Sequence, residues 1–266
     1  MNVFVCTKQV PDTAQAVKIA ADGLSLATDG MEFVISPYDE YAIEEALLIK
    51  EKKAGAGMVT LVSVGPERVQ KALRSGLAMG ADEAVQLWDP AFEGSDPLTI
   101  AKILAAFFKT VQFDMIFTGK QAVDDDSGVV AQALAEHLNL PHVTEVQFLE
   151  LAADKKSVTV HREVEGGSEV LTCQLPAVFS AQKGLNTPRY ASLKGIMAAK
   201  KKTLKTLAAG DIAIDPATVG AKASKMKLRK ISEPEAKKGG LRMLSGDLAQ
   251  QVTEAARILR EELKVI

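Results

Sequence analysis

Residues 119–128, Gly-Lys-Gln-Ala-Val-Asp-Asp-Asp-Ser-Gly, are the part of the chain best suited by residue type and spacing to bind a ligand. They follow an apolar run at residues 113–118, which predicts a buried strand, and they precede helical apolar spacing at residues 129–138. A glycine at the carboxyl end of a strand, followed by a polar loop and a helix start, presents backbone N–H groups to a phosphate. The segment therefore predicts a nucleotide-type site.

The three consecutive carboxylates Asp124, Asp125 and Asp126 oppose the binding of an anion. They would repel a phosphate unless they point away from it or bond to backbone, ribose or base. The loop matches neither a Walker loop nor a G-x-G-x-x-G turn. Taken alone, it also fits an acidic cluster at the start of an ordinary helix.

Three further segments with polar residues or glycine lie at predicted strand ends or at a helix entrance. They are residues 6–9, 36–39 and 64–66. In an open parallel sheet, ligands bind beyond the carboxyl ends of the strands, where the strand order reverses. We therefore expect these segments to meet the loop at residues 119–130 in one crevice.

The elements that position this crevice alternate between strand and helix over residues 1–140. This alternation predicts an α/β fold with a doubly wound, mostly parallel sheet and right-handed crossovers. Strands are predicted at residues 3–6, 58–64, 83–87 and 115–118, and helices at residues 39–50, 67–79, 98–111 and 129–138.

After Pro141 the pattern changes to alternating apolar and polar residues, which is typical of strands with one solvated face. Glu165-Gly166-Gly167 supplies a hairpin turn. Strands are predicted at residues 146–151, 157–164, 169–174 and 176–181, and we interpret them as an antiparallel extension of the sheet.

The carboxyl-terminal region is poorer in apolar residues and richer in lysine. Lys200–Lys202 and Lys205 are predicted to form a solvated helix face, with a secondary role in attracting acidic partners. Residues 232–240 are typical of a linker, and residues 247–263 predict an amphipathic helix. We therefore expect a core domain at residues 1–231 and an arm with a helix at residues 232–266. The apolar stripe of that helix needs a cover, either its own domain or a partner chain.

Composition excludes several function classes. A net charge of −2 and an aromatic content of 5% argue against a nucleic-acid binder. Cys6 and Cys173 lie in apolar runs and are expected to be buried small hydrophobes. Apolar runs stay shorter than the roughly 20 residues of a membrane helix, and the first strand starts too early for a signal peptide. We expect a soluble intracellular protein.

The sequence offers no catalytic or metal-binding set. His137, His142 and His161 are predicted to be solvated or to cap a helix end, and His and Cys residues lack metal-ligand spacing. A Ser/His/Asp arrangement cannot be proposed from the sequence. We expect neither catalytic residues nor a metal site.

Five motifs in order resemble the electron transfer flavoprotein beta subunit. They are residues 3–13, 63–66, 77–82, 119–126 and 186–190, the last leading to Ile196-Met197 and Lys200–Lys202. The resemblance implies a Rossmann-like, adenine-nucleotide-binding fold in one half of a heterodimer with the alpha subunit. It also implies an electron carrier of fatty acid beta-oxidation without substrate chemistry of its own. Electrons would pass from acyl-CoA and related dehydrogenases to a membrane quinone oxidoreductase through FAD held mainly by the alpha subunit. The expected location is the bacterial cytoplasm, or the mitochondrial matrix in a eukaryote.

The resemblance further implies a structural AMP in the crevice, with Asp125 central among its contacts. The family often has asparagine where Ser36 stands and polar residues in place of Gly128, Val129 and Val130. Valine side chains cannot donate hydrogen bonds to a phosphate, which leaves Ser127 and backbone N–H groups. The implied contacts are Cys6, Ser36, Pro37, Tyr38, Asp39, Val64, Gly119, Lys120, Gln121, Ala122, Val123, Asp124, Asp125, Asp126, Ser127, Gly128, Val129 and Val130.

A second functional segment implied by the resemblance is a recognition loop at residues 185–197. Leu193 matches the leucine through which the family recognises dehydrogenases, and the alternative is that this side chain is tucked inward. Arg189 has a guanidinium that could bond carbonyls or a carboxylate as a buried anchor, or lie near the flavin. The loop at residues 8–13, rigidified by Pro11, either approaches the flavin or is simply shaped by its proline.

Other functions also fit parts of the sequence. Family members that bifurcate electrons bind a second FAD in place of AMP and typically have glycine where Asp125 stands, so the resemblance favours the non-bifurcating type. A stand-alone adenine-nucleotide sensor would explain the crevice but not the arm. A nucleotide-dependent ligase or pyrophosphatase would need phosphate-binding lysines or metal-binding carboxylates at the strand ends, and Asp124–Asp126 are the only candidates.

Overall fold

The computed structural model describes residues 1–54, 57–233 and 240–266. The chain forms two compact units, Met1–Lys230 and Ile231–Ile266. The first unit contains the sheet and its flanking helices, and the second contains one amphipathic helix. Of the linker predicted at residues 232–240, residues 234–239 lie outside the described part of the chain. Among the described residues, no helix combines the length and apolar character needed to cross a membrane.

The strands of the first unit are mostly short, and the three strands between residues 142 and 174 are longer. They are β1 (Asn2–Cys6), β2 (Gln9–Pro11), β3 (Phe33–Ile35), β4 (Met58–Val64), β5 (Glu83–Leu87), β6 (Met115–Gly119), β7 (His142–Leu151), β8 (Ser157–Val164), β9 (Gly167–Gln174), β10 (Ala177–Ala181) and β11 (Leu204–Leu207).

The helices connect or cover these strands. They are α1 (Pro37–Leu48), which continues as the π-helical segment Ile49–Ala54, α2 (Val69–Met79), α3 (Pro97–Phe108), α4 (Val130–Leu138), α5 (Leu193–Ala199) and α6 (Leu248–Arg257), which continues as the π-helical segment Ile258–Glu262.

In the described part of the chain, one sheet has the strand order β11-β5-β4-β1-β6-β10-β7-β8-β9. All neighbours from β11 to β7 are parallel, and β7, β8 and β9 are antiparallel. The chain runs outward from β1 to β4 and β5, then returns to the other side of β1 as β6. The strand order therefore reverses between β1 and β6, where an open sheet binds its ligands. The predicted doubly wound, mostly parallel sheet is confirmed.

Helices cover both faces of the central strands. On one face, side chains of α1 and α2, such as Ile43 and Leu73, pack against the sheet, and on the other face α3 and α4 contribute Leu104 and Leu134. Apolar side chains that point either way from a central strand are therefore buried, which explains the continuous apolar runs of β1, β4 and β6. Cys6 and Cys173 are buried free thiols, as predicted.

Two sequence expectations were wrong. Strand β10 does not belong to the antiparallel extension, because it pairs in parallel with β6 and β7. Lys200–Lys202 and Lys205 do not share a solvated helix face. The ammonium group of Lys202 donates to the carbonyls of Leu77 and Ala81 at the end of α2, and Lys205 lies in β11. The strand β11 is only four residues long and carries little periodic signal.

Candidate functional site

A cavity of about 230 Å³ opens at the reversal point of the strand order. Its residues come from the carboxyl ends of β1, β4 and β6 and from the amino-terminal parts of α3 and α4. One side of the cavity is apolar and includes Cys6, Val62, Val64, Ile100 and Leu104. A flat aromatic base fits such a wall, which is typical of small-molecule pockets with few polar groups.

The carboxylate of Asp39, in the first turn of α1, ties together the loops on either side of the cavity. It accepts the backbone N–H of Lys8 at 2.7 Å and that of Gly119 at 2.8 Å. Burial raises the pKa of Asp39 to about 7, although these two N–H groups act in the opposite direction. Asp39 therefore joins the ends of β1 and β6, and it also lines the cavity.

Gly119 allows the end of β6 to approach α1 closely. A Cβ at this position would lie 2.5 Å from Oδ1 of Asp39 and 2.7 Å from Cβ of Tyr38. Both distances are shorter than van der Waals contact, so a larger residue would push the loop away from α1. The glycine at the head of the loop is thus required by the contact with Asp39.

The three adjacent carboxylates of the loop are satisfied within the protein. The ammonium group of Lys8 lies 2.8 Å from Oδ1 of Asp124 and 3.0 Å from Oδ2 of Asp125. The side chain of Asp126 accepts a hydrogen bond from the amide of Gln121. Oδ1 of Asp125 also accepts the backbone N–H of Ser127 at 3.0 Å. These bonds reduce the repulsion that three free carboxylates would exert on an anion.

The amino terminus of α4 lies beside the cavity. Its N-cap residue is Val129, whose apolar side chain cannot accept a hydrogen bond from the first turn. Ser127, Val130 and Ala131 line the cavity beside it. An uncapped helix amino terminus presents N–H groups and a positive dipole end to a phosphate.

The structure gathers more than half of the predicted contact residues around the cavity. Lining it are Cys6, Asp39, Val64, Gly119, Lys120, Gln121, Ala122, Asp125, Ser127 and Val130. The others belong to the same segments but do not line it, namely Ser36, Pro37, Tyr38, Val123, Asp124, Asp126, Gly128 and Val129.

Several lining residues lie outside the predicted set. They come from the loop after β1, from inside β4 and β6, from α3 and the residue before its N-cap, and from the first turn of α4: Thr7, Lys8, Val62, Ser95, Pro97, Ile100, Leu104, Thr118 and Ala131. Asp96-Pro97 is a helix start signal, and Asp96 indeed accepts the N–H of Thr99. That signal could have placed the start of α3 beside the other strand ends.

Arg189 anchors the segment that precedes α5. Its guanidinium donates to Glu44 at 2.8 Å and 2.9 Å and to Glu51 at 2.7 Å and 3.0 Å. Glu44 is buried, and hydrogen bonds from Arg189 to Glu51 and Glu44 raise the pKa of the arginine. Asn186 donates to the carbonyl of Tyr41 on the same helix. The segment is therefore fixed to α1 and its π-helical continuation, in agreement with the predicted anchor.

The residues after this anchor display apolar side chains. Tyr190 is 99% exposed and Leu193 77% exposed, and Ile196 and Met197 are exposed as well. Ser192 caps α5 by accepting the N–H of Gly195, so the predicted loop at residues 185–197 is helical from Leu193 onward. The exposure of Leu193 excludes the inward alternative.

The chain matches known proteins over nearly its whole length. Residues 23–212 match the electron transfer flavoprotein domain family. The chain is 40% identical over 253 residues to the electron transfer flavoprotein subunit beta of Thermoanaerobacterium thermosaccharolyticum, covering 95% of each chain. It is 40% identical over 269 residues to the subunit of the same name from Bacillus subtilis, covering all of both chains. It is 38% identical over 253 residues to subunit CarD of the caffeyl-CoA reductase-Etf complex of Acetobacterium woodii, covering 95% of each.

Proposed function

The chain belongs to the electron transfer flavoprotein family as a beta subunit, and from this premise we propose that it is the non-catalytic half of an alpha/beta heterodimer. The FAD is held mainly by the alpha subunit and supplies the redox chemistry when bound. This chain contributes a rigid platform, a nucleotide cavity and a docking segment for redox partners. The observation that carries this proposal is the cavity at the reversal of the strand order. A subunit that supports a redox cofactor needs a binding site of this kind, and it needs no side chains that make or break bonds.

The occupant that we propose for the cavity is a structural AMP. The apolar wall of Cys6, Val62 and Val64 would hold the adenine, and the amino terminus of α4 with Ser127 would hold the phosphate. The valines at positions 129 and 130 leave phosphate recognition to backbone N–H groups, Ser127 and the lysines of the loops. The residues present therefore fit a mononucleotide.

A non-bifurcating subunit, with AMP rather than a second FAD, is supported by the position of Asp125. Its side chain lines the cavity and is held there by Lys8, so it adds bulk and negative charge where a dinucleotide would need room and donors. The relative from Acetobacterium woodii is named after a caffeyl-CoA reductase complex, so relatives of this chain serve in different assemblies.

The nucleotide content of the purified heterodimer tests this proposal. The full chain is co-expressed with its alpha partner, the yellow complex is denatured, and the supernatant is chromatographed. We expect one FAD and one AMP per heterodimer, whereas the beta chain purified alone should be colourless. Two FAD per heterodimer would contradict the AMP assignment, and an alpha chain that binds its flavin and never associates with this chain would contradict the subunit role.

The redox partners that we propose are acyl-CoA and related dehydrogenases, with a membrane quinone oxidoreductase as acceptor. The exposed apolar residues Tyr190, Leu193 and Met197 support a docking segment, because single large apolar side chains that reach into a partner pocket contribute much of the affinity of an interface. The heterodimer would work in the bacterial cytoplasm, or in the mitochondrial matrix in a eukaryote.

A further inference from the structure

Glu145 has a strained backbone conformation in the middle of β7. Its φ is 58°, in the left-handed region that residues other than glycine rarely adopt. The strain coincides with a break in the ladder between β7 and β10. Phe179 pairs with Val143, whereas Ala181 already pairs with Val146. Bulges of this kind redirect a side chain and are enriched next to functional sites.

The bulge directs the carboxylate of Glu145 toward Lys120. Nζ of Lys120 lies 3.1 Å from Oε2 of Glu145, and the two side chains are 26% and 34% exposed. The backbone at both ends of this ion pair is fixed as well. The N–H of Glu145 donates to Oγ of Ser180, and the N–H of Lys120 donates to the carbonyl of Ala181. The pair therefore joins the bulge to the first residue after Gly119.

Lys120 lines the cavity, but its carboxylate partner does not. Lys8, the other lysine among the described lining residues, is bonded to two carboxylates of the same loop, one of which also lines the cavity. The positive charge of Lys8 is therefore largely neutralised at the cavity itself. The counter-ion of Lys120, in contrast, lies in the neighbouring surface pocket, which Lys120 also lines, and not in the lining of the cavity.

We propose that Glu145 is a positioning residue that holds Lys120 at the cavity wall, where the ammonium group contributes to binding the phosphate of a mononucleotide. The backbone strain at position 145 is retained because it gives the carboxylate this direction. The proposal rests on the nucleotide site proposed above and assigns a role to a residue that does not itself contact the ligand.

Calorimetric titration of the full chain, freed of nucleotide, tests this role with AMP and adenosine as probes. Glu145→Gln should weaken the binding of AMP about threefold to fivefold, the range expected for a partly exposed charge pair, and leave adenosine affinity unchanged. Lys120→Gln should show the same selectivity for AMP with an equal or larger effect. Added salt weakens the electrostatic part of AMP binding. It should therefore reduce the difference in affinity between AMP and adenosine more in the wild type than in either variant.

Glu163→Gln is the matched control. The carboxylate of Glu163 lies in the same surface pocket as Glu145 and Lys120, but it accepts hydrogen bonds from Gln147 and Gln182 instead. Removing its charge should leave the AMP affinity at the wild-type value. An equal loss in this control would indicate a general disturbance of this surface, because removing a negative charge should by itself favour anion binding, and it would overturn the positioning role.

Glu145→Gly separates positioning from folding. Glycine adopts a φ of 58° without strain, so this variant should melt at or above the wild-type temperature. It should nevertheless lose AMP affinity as Glu145→Gln does. If the wild type binds AMP and both variants bind it equally well or more tightly, the role of Glu145 is wrong while the nucleotide site stands. If the wild type binds neither probe, the nucleotide site and the inference built on it are both wrong.

Discussion

The two compact units of the chain differ in how far their apolar side chains are exposed. In the first unit, strands such as β1, β4 and β10 are buried almost throughout, because helices cover both faces of the sheet. In the second unit, every residue of α6 is at least partly exposed, and Leu248 and Val252 are 77% and 60% exposed. The first unit has its own core, whereas the apolar side chains of α6 are exposed in the second unit.

The polar face of α6, in contrast, is well satisfied within its own unit. Arg257 bonds to Glu254, Glu261 and Glu262, and Asp247 and Gln250 form a capping box at the amino-terminal end. Exposed ion pairs of this kind contribute little free energy, and a helix of this length is only marginally stable by itself. From this contrast we propose that α6 docks with its apolar stripe on a surface of the alpha subunit.

Deleting residues 235–266 is expected to have the largest effect. Each large apolar side chain of α6 that a partner buries contributes about 1.5–3 kcal/mol, so losing several should weaken the heterodimer more than about 100-fold. Because the first unit has its own core, its melting temperature should stay near that of the full chain. Analytical ultracentrifugation with the alpha subunit and thermal melting of the truncated chain provide the two measurements.

The matched control for this deletion keeps the chain length. Leu248→Glu combined with Val252→Glu should weaken assembly, whereas Arg260→Glu, outside the apolar stripe, should have a small effect. Assembly of the truncated chain with unchanged affinity would show that α6 is no interface element, and unfolding of the first unit would show that the two units depend on each other.

Removing an arginine should lower the free energy of unfolding by very different amounts in the two units. Arg189→Ala leaves the buried carboxylate of Glu44 without its cation, which should cost about 3–5 kcal/mol of unfolding free energy. Arg242→Ala removes pairs with Glu254 and Glu262 in which all side chains are exposed, and should cost less than about 1 kcal/mol. Urea denaturation of the full chain compares the two variants, and similar losses would contradict the contrast between the units.

A pH titration of Asp39 examines a charge inside the first unit. Its pKa is raised from 3.8 to about 7, so the buried carboxyl favours the protonated folded state. Its contribution to stability is fully present below pH 3.8 and is lost as the pH rises to about 7, by up to about 4 kcal/mol. Wild-type stability should therefore fall relative to Asp39→Asn over this interval. A difference between the two proteins that is constant with pH would mean that Asp39 ionises normally.

Leu193→Ala should have the smallest effect on the chain itself. Its side chain is 77% exposed, so the melting temperature should stay near the wild-type value. A partner pocket that buries this leucine would gain about 1.5–3 kcal/mol, so reduction of the heterodimer by an acyl-CoA dehydrogenase should slow by about one to two decades. Met243→Ala, an exposed position in the second unit, is the control. A normal reduction rate for Leu193→Ala would exclude the recognition role.

The sequence predicted those parts of the fold that depend on local pattern. The continuous apolar runs of β1, β4 and β6 and the helical spacing of α2 located these elements to within about two residues, and their alternation predicted the parallel sheet. The strands β2 and β3 were not predicted, because three residues carry no measurable period.

The candidate site was predicted where it follows from strand ends and missed where it depends on contacts between distant segments. The loop at residues 119–128 was found because a glycine and polar residues follow a buried strand. Its pairing with Lys8 was not, since Lys8 and Asp124 are 116 residues apart in the chain. The direction of Glu145 was also beyond prediction, because a bulge depends on the partner strand rather than on local residue types.

The short strand β11 also limits strand addition at its own edge of the sheet. It pairs in parallel with β5, whose backbone groups would otherwise form an open edge that could pair with a second molecule. The strand β11 has only four residues, and one of them is the exposed Lys205, so the new edge is a poor template for strand addition. A chain shortened before residue 204 would expose the mostly buried strand β5 at its edge, and we expect it to aggregate during expression.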